Sequence, residues 1–312
     1  MNYTLNQLRI YATVVRLGSI TKAARELNLT QPAVSIQLKN FSAQFDIPLI
    51  EIINKKIRIT DFGKSIARSA ENMLEEVQRI DQTTQSYKGL LSGKLKIGLV
   101  STAKYIAPYF ISDFMQWHPG IELKMDVSNK AQVFSDLAEN AIDFAFVTIL
   151  PKDIPIQKME LLEQKLYLVG NQSLPVNKRQ TSYDFFNSIP LIYREPGSGT
   201  RQIMEQFIRK NKLPVTMKMT LTSNEQVKQA VMSGLGYSIM PLIGLKNELI
   251  AKQLHIIPVK EFPIRSTWYL IWLKNKPLSP LCQAFLTYLR KEKEHIIETK
   301  FKWYEEFNQA ID

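Results

Sequence analysis

The stretch SITKAARELNLTQPAVSIQLKNF, residues 19–41, decides how the rest of the chain is read. Ile20, Ala23, Ala24 and Leu27 recur at spacings of three and four, which places them on one face of a short helix. Gly18 can stop the helix before it, and Ser19 can cap the new one. Asn28 ends this helix, Leu29 plugs the turn, and Thr30 can cap the next. Pro32 falls in that helix's first turn, where a missing N–H costs little. Val34, Leu38 and Phe41 face inward, while Gln31, Ala33, Ser35, Gln37 and Lys39 are expected outside. Two short helices with small residues at their contact and a tight turn between them form a helix-turn-helix.

The outer face of the second helix has the chemistry of a major-groove reader. A Gln side chain pairs bidentately with adenine, a Ser hydroxyl donates or accepts, and an Ala methyl packs on a thymine methyl. Thr30 and the helix N-terminus suit a phosphate. A plain helical hairpin with a solvated polar face has the same pattern, and the stretch alone leaves both readings open. Its surroundings narrow the choice. Upstream, Leu5, Leu8, Ile10, Tyr11, Val14, Val15 and Leu17 are helically spaced, with Thr4 and Gln7 as a capping box. Downstream, residues 47–63, IPLIEIINKKIRITDFG, read as two short strands about Asn54 and Lys55. Lys55, Lys56 and Arg58 then form a basic wing beside the helices, placed to touch flanking backbone. From Phe62 to about Leu91 apolar residues recur at Ile66, Ala70, Met73, Leu74, Val77 and Ile80. This is a helix longer than a small domain needs, suited to pairing two reading heads, or else folded back on its own domain.

Composition sets the limits. A chain of 312 residues with 45% hydrophobic content suggests two or three compact units and excludes wholesale disorder. The net charge of +11 favours an anionic partner such as nucleic acid. The single cysteine, Cys282, excludes an intrachain disulfide and lies among apolar neighbours that mark it as core. Neither a signal-peptide pattern nor an apolar run long enough to span a membrane occurs, so the cytoplasm is the simplest expectation and no membrane partner is foreseen.

From Ser92 the pattern changes to alternating strands and helices, the signature of an α/β domain with parallel pairs. LKIGLV (95–100), residues 121–127 and IDFAFV (142–147) read as strands, with Ser101 or Thr102 placed to cap a helix that ends at His118-Pro119-Gly120. Ligands gather at the carboxyl ends of such strands, which selects Ser101, Thr102, Asn129 and Thr148. A second set follows with KLYLVG (165–170) and IPLIYR (189–194), then the turn EPGSGTR and a helix to Asn211. Gly197 and Gly199 permit a tight loop, Ser198 or Thr200 caps the helix, and Arg194 and Arg201 flank it. That combination suits a carboxylate or phosphate; a plain loop with two surface arginines is the other reading. Ser223 caps a further helix from Asn224. LHIIPV (254–259) and TWYLIWL (267–273) are strands, and Pro280 to about Phe307 is an amphipathic helical stretch. The chain crossing out near 166 and back near 266 would build two lobes around a cleft.

Residues 5–67 resemble the N-terminal region of LysR-type transcriptional regulators. The resemblance rests on Leu8, Phe41, SITKAAREL (19–27), LTQPAVSIQL (29–38), IPL (47–49) and IRITDFG (57–63). Two departures stand out. Ile50-Glu51-Ile52 replaces a Phe and an acidic-Arg pair, and Ile36 stands where the family often has Arg. No arginine contact is therefore carried to Ile36 or Ile52. YREPGSGTR (193–201), TSNEQVKQAV (222–231) and SGLGYSIMP (233–241) look most like the branch that includes regulators of carbon-fixation operons.

The resemblance implies an α/β fold class: a winged helix-turn-helix at 1–63, a linker and dimerisation helix at 64–92, and a bilobed effector domain at 93–312 similar to periplasmic binding proteins. Lobe I would comprise 93–166 and 267–312, and lobe II 167–266. Expected DNA-binding residues are Ser19, Lys22, Thr30, Gln31, Pro32, Ala33, Ser35, Lys39, Lys55 and Arg58. Expected effector-binding residues are Ser101, Thr102, Thr148, Arg194, Ser198, Thr200, Arg201, Asn224 and Glu225, with Lys104 and Lys130 in similar loops. The expected partners are a pseudo-palindromic duplex, a small anionic metabolite, further copies of the chain as dimer or tetramer, and RNA polymerase. No cofactor, metal or catalytic residue is expected. A bilobed enzyme and a solute-binding protein with an appended helical domain are the alternatives. Against the first, His118, His255 and His295 lack ligand-like spacing, and no HExxH, GxSxG, CxxC or Walker pattern occurs. The second would need a secretion signal and no helix-turn-helix.

Overall fold

The computed structural model describes residues 2–53, 56–87, 91–171, 185–259 and 261–307. The chain divides into two compact units, Met1–Leu90 and Leu91–Asp312.

In the first unit, helices α1 (Leu5–Leu17), α2 (Ile20–Glu26) and α3 (Gln31–Ser42) precede strands β1 (Ile50–Ile53) and β2 (Lys56–Ile59). The long helix α4 (Asp61–Tyr87) follows. The helix ends are set by local chemistry. Thr4 and Gln7 complete the capping box, and Gly18 takes the left-handed conformation, φ 59°, that closes α1. The Ser19 and Thr30 hydroxyls accept from the N–H groups of Lys22 and Ala33. Leu8, Tyr11, Val14, Ala23, Ala24, Val34, Leu38 and Phe41 form the core, joined by Leu49 and by Ala67 and Ala70 of α4. Gly63 makes this closure possible: a Cβ there would lie 2.0 Å from the Leu49 carbonyl oxygen. The Gly63 carbonyl accepts from the buried Tyr11 hydroxyl at 2.9 Å. β1 and β2 pair antiparallel, with Glu51 opposite Arg58. The Asn54-Lys55 turn lies outside the described residues. Beyond Ala70, α4 exposes Met73 and Ile80.

The second unit contains β3 (Gly93–Val100), α5 (Ala107–Trp117), β4 (Ile121–Ser128), α6 (Lys130–Ala138), β5 (Phe144–Val147) and β6 (Ile156–Gly170). Then come α7 (Phe185–Ser188), β7 (Pro190–Arg194), α8 (Gly199–Lys210), β8 (Thr216–Leu221), α9 (Asn224–Met232) and β9 (Ser238–Pro241). The chain continues with α10 (Lys246–Ile250), β10 (His255–Ile256), β11 (Ile264–Leu273), α11 (Pro280–Lys300) and α12 (Lys302–Glu306). The strands order as β10-β6-β11-β5-β3-β4, with β9 also on β6. β3 runs parallel to β4 and β5, and β7 parallel to β8, as the alternating pattern implies. The two crossover strands, β6 and β11, are longer than their apolar runs suggested and pair antiparallel from Ile156–Leu273 to Leu166–Ile264. Their register shifts between Thr267 and Tyr269.

Alternation along strands feeds two cores. Leu166, Leu168, Leu191, Tyr193 and Ile239 belong to one cluster with Phe186, Ile203 and Met204. Their neighbours Tyr167, Val169, Ile192 and Met240 turn to the other, which holds Phe110, Phe114, Phe144, Phe146, Trp268 and Phe285. The C-terminal stretch is two helices broken at Phe301 rather than one. It is tied to a crossover strand. The buried Tyr304 hydroxyl accepts from the Lys165 N–H at 2.7 Å, and the buried Lys165 ammonium donates to the carbonyls of Tyr304 and Glu305.

Candidate nucleic-acid interface and ligand cleft

On α3 the exposed face differs from the one the sequence suggested. Gln31, Pro32, Ile36, Lys39 and Asn40 are exposed, whereas Ala33, Ser35 and Gln37 are half-buried. Residues alternate faces in a strand, but a helix turns about 100° per residue, so 31, 33, 35, 37 and 39 cannot share one side. Two strips run along the helix instead: Gln31, Ser35 and Lys39, and beside them Pro32, Ile36 and Asn40. Lys22 on α2 and Arg58 on β2 are exposed, Ser19 is a half-buried cap, and Thr30 is an exposed cap. Lys55 lies outside the described residues.

The second constellation forms at the carboxyl ends of β3, β5 and β7 and the N-termini of α8 and α9. The Ser101 hydroxyl, just after β3, accepts from Arg194 Nη1 at 3.3 Å and Asn224 Nδ2 at 3.2 Å. Neither Ser101 nor Thr102 caps the following turn through its side chain, contrary to expectation; Ser101 is engaged across the cleft. Thr102, Arg194, Ser198, Thr200 and Asn224 are all buried. Ser198 caps α8 and Ser223 caps α9 through their hydroxyls. Gly197 has φ 90°, and Gly199 lets the loop pass close to the end of β5: a Cβ there would stand 3.2 Å from the Thr148 hydroxyl. Lys130 Nζ donates to Gln202 Oε1 at 2.6 Å, linking α6 to α8 across the same cleft.

Charge in the cleft is internally compensated. Arg194 grips Glu195 through Nε and Nη2, at 2.7 and 2.8 Å. Arg201 lies over the Tyr193 ring, donating from Nε to Glu205 and from Nη1 to the Arg194 carbonyl. Its guanidinium therefore braces the loop. Glu225 turns to Lys228 and Gln229. Desolvation pushes the Glu225 carboxyl up, but hydrogen bonds from Gln229 and Lys228 and the charges of Lys228 and Lys104 outweigh it, and the net shift is downward. The sequence reading missed Lys228. It is buried, lines a small hollow with Thr102, Tyr105 and Asn224, and bridges Glu225 and Glu248. Desolvation works against its charge, yet the two carboxylates hold its pKa above the ordinary lysine value. The available signal was a lysine in step with Asn224, Val227 and Val231 on the inner face of α9. Among the described residues no group of three or more His, Cys, Asp or Glu could hold a metal ion. No described helix is long and apolar enough to cross a membrane.

Residues 5–64 match the bacterial regulatory helix-turn-helix protein model of the lysR family, and residues 88–294 match the LysR substrate binding domain. The chain belongs to the LysR family of transcriptional regulators. It is similar along almost its whole length to the HTH-type transcriptional activator CmpR of Synechocystis, at 36% identity over 95% of this chain and 97% of that protein. The RuBisCO operon transcriptional regulator of Allochromatium vinosum is 33% identical over 94% of this chain and 97% of its own. Among solved structures, the Synechocystis CcmR regulatory domain in complex with 2-PG superposes with a TM-score of 0.61 at 31% identity, over 65% of this chain and 98% of that one. Full-length CbnR complexed with its target DNA shares the fold, with a TM-score of 0.67 at 18% identity over 93% of this chain and 99% of that one. As a LysR regulator the chain is a DNA-binding protein, and its relatives are regulators rather than enzymes.

Proposed function

We propose that the cleft between β3, β7, α8 and α9 binds a small phosphorylated carboxylate and that its occupancy sets the activity of the α3 heads on genes of inorganic carbon assimilation. The observation that carries this reading is the convergence of Arg194 and Asn224 on the Ser101 hydroxyl. While Glu195 occupies Nε and Nη2 of Arg194, its Nη1 and the Asn224 amide at the N-terminus of α9 are held only by long bonds to one neutral hydroxyl, and a charged N–H beside an amide at a helix N-terminus is the chemistry that receives an oxyanion. A ligand oxygen replaces the Ser101 contact and gains charge-assisted bonds. The CcmR complex with 2-PG supports 2-phosphoglycolate as the first compound to test, and the names of CmpR and the RuBisCO operon regulator support the target genes. Of the expected cleft residues, Ser101, Thr102, Thr148, Arg194, Ser198, Thr200 and Asn224 serve the ligand. Arg201 and Glu225 act on neighbouring side chains.

The α3 strips, the N-terminus capped by Thr30, and Lys22 and Arg58 form the DNA face. Met73, Val77 and Ile80 on α4 repeat at the four-and-three spacing that seats a second copy of the helix. Two-fold pairing of heads then matches a pseudo-palindromic operator. Action is in the compartment that holds the DNA, which in a bacterial cell is the cytoplasm. Thermal melting of the full-length protein with 2-phosphoglycolate, glycolate or inorganic phosphate tests the cleft. At a hundredfold excess over Kd the phosphorylated carboxylate raises the midpoint by about 5–10 °C. Equal shifts with all three compounds, or none with any, refute the assignment.

A further inference from the structure

Ile36 is an apolar residue on the outer face of α3 and is 58% exposed. A single exposed isoleucine on an ordinary surface needs no explanation. This one sits about one and a half turns into the helix, one turn beyond exposed Pro32 and one turn before exposed Asn40. The parallel strip of Gln31, Ser35 and Lys39 flanks it. The N-terminal half of such a helix is the part that meets base edges.

We propose that Ile36 reads the 5-methyl group of a thymine in the major groove. The proposal rests on the DNA-reading role of α3 and names what one of its residues selects. The thymine methyl is the apolar group that the major groove presents; every other readable position there is a hydrogen-bond donor or acceptor. Isoleucine has neither donor nor acceptor. Set against a guanine or cytosine edge, it strips water from polar atoms and returns nothing, a mismatch that disfavours those bases. Set against a thymine methyl, it removes apolar surface from water on both partners. Two strips on one helix then have separate tasks. Gln31 and Ser35 hydrogen-bond to base edges, Lys39 meets phosphate, and Pro32 and Ile36 enforce a methyl-bearing step. The β-branched side chain is stiff at χ1, so the methyl it contacts is held to one position in each half-site.

The test uses the full-length protein and a random-sequence duplex pool, with wild type, Ile36→Ala and Ile36→Leu carried through the same selection. Wild type and Ile36→Leu retain a thymine at one position in each half-site. Ile36→Ala loses that thymine and keeps the remaining preferences. Replacing the selected thymine by deoxyuridine removes the methyl alone. Wild-type binding then weakens about fourfold, the factor expected for one buried methyl group, and Ile36→Ala is unaffected. Because Ile36 is exposed, the variants melt at the wild-type temperature. A wild-type protein indifferent to deoxyuridine at every selected thymine overturns the proposal, as does an Ile36→Ala variant that responds equally. A wild-type protein that selects no sequence at all overturns the DNA-reading role of α3 and the proposal with it.

Discussion

Replacing Arg194 by Gln separates what this side chain does for the fold from what it does for the ligand. Its side chain is 5% exposed, and its three polar contacts go to both Glu195 oxygens and the Ser101 hydroxyl. Losing one partner of a fully buried ion pair costs about 3–5 kcal/mol. Glu195 keeps a 21% exposed side chain and can turn to water, so the ligand-free protein loses less, about 2 kcal/mol. For the bound state the lost bond is charge-assisted, worth about 1.5–3 kcal/mol, or about a 10- to 150-fold loss of affinity. The two effects part company in Arg194→Gln/Glu195→Gln, which leaves no orphaned charge. Its melting temperature returns toward wild type while its affinity does not. Isothermal titration with 2-phosphoglycolate and thermal melting of the three proteins give both quantities. Affinity within twofold of wild type in Arg194→Gln, or affinity restored in the double variant, refutes the cleft chemistry.

Gly63→Ala places a methyl 2.0 Å from the Leu49 carbonyl oxygen and 2.9 Å from the Tyr11 hydroxyl, both held by the head's own packing. It destabilises the head by more than about 3 kcal/mol and abolishes DNA binding, while ligand binding in the other unit persists; gel-shift and calorimetry on the same preparation show whether the two dissociate. Burial holds the His255 imidazole below its usual pKa, so the unfolded chain binds the proton more readily. Its contribution to stability is present above the unfolded value of about 6.5 and is lost as pH falls toward the depressed folded value. Urea midpoints for wild type and His255→Gln therefore converge between pH 7.5 and 5, and parallel curves contradict the assignment. The Cys282 thiol is pushed up to about 12 by burial, with Asp143 adding to the shift. At pH 8 a thiol reagent labels no cysteine in the native protein and one after denaturation, and rapid native labelling would show the site open.

Several features were legible because they are local. The capping box at Thr4, the left-handed stop at Gly18 and the Ser19, Thr30, Ser198 and Ser223 caps depend on neighbours within a few residues, and each forms as read. The apolar periodicity of α1 to α3 and the alternation of strands with helices likewise specify a helix-turn-helix followed by an α/β domain. Where periodicity was misjudged, the reason is geometric. Ala33 and Gln37 seemed to share an exposed side with Gln31, but the helical turn draws them off that strip and brings Ile36 out.

The chemistry of the cleft was legible only in part. Ser101 lies 93 residues from Arg194 and 123 from Asn224, and nothing in the spacing of the chain announces that these two meet on one hydroxyl. Arg201 has the residue type of an anion site and Glu225 opens α9 beside the cleft, yet Glu205 and Lys228 claim them. The sequence by itself determined the elements, their caps, the basic head and the set of polar groups at strand ends, because backbone hydrogen bonding and burial act over a few residues. Only the tertiary structure decided which charges are already paired and which side chains remain to meet a ligand or a base. Electrostatic partners are chosen by proximity in space, and proximity is set by packing.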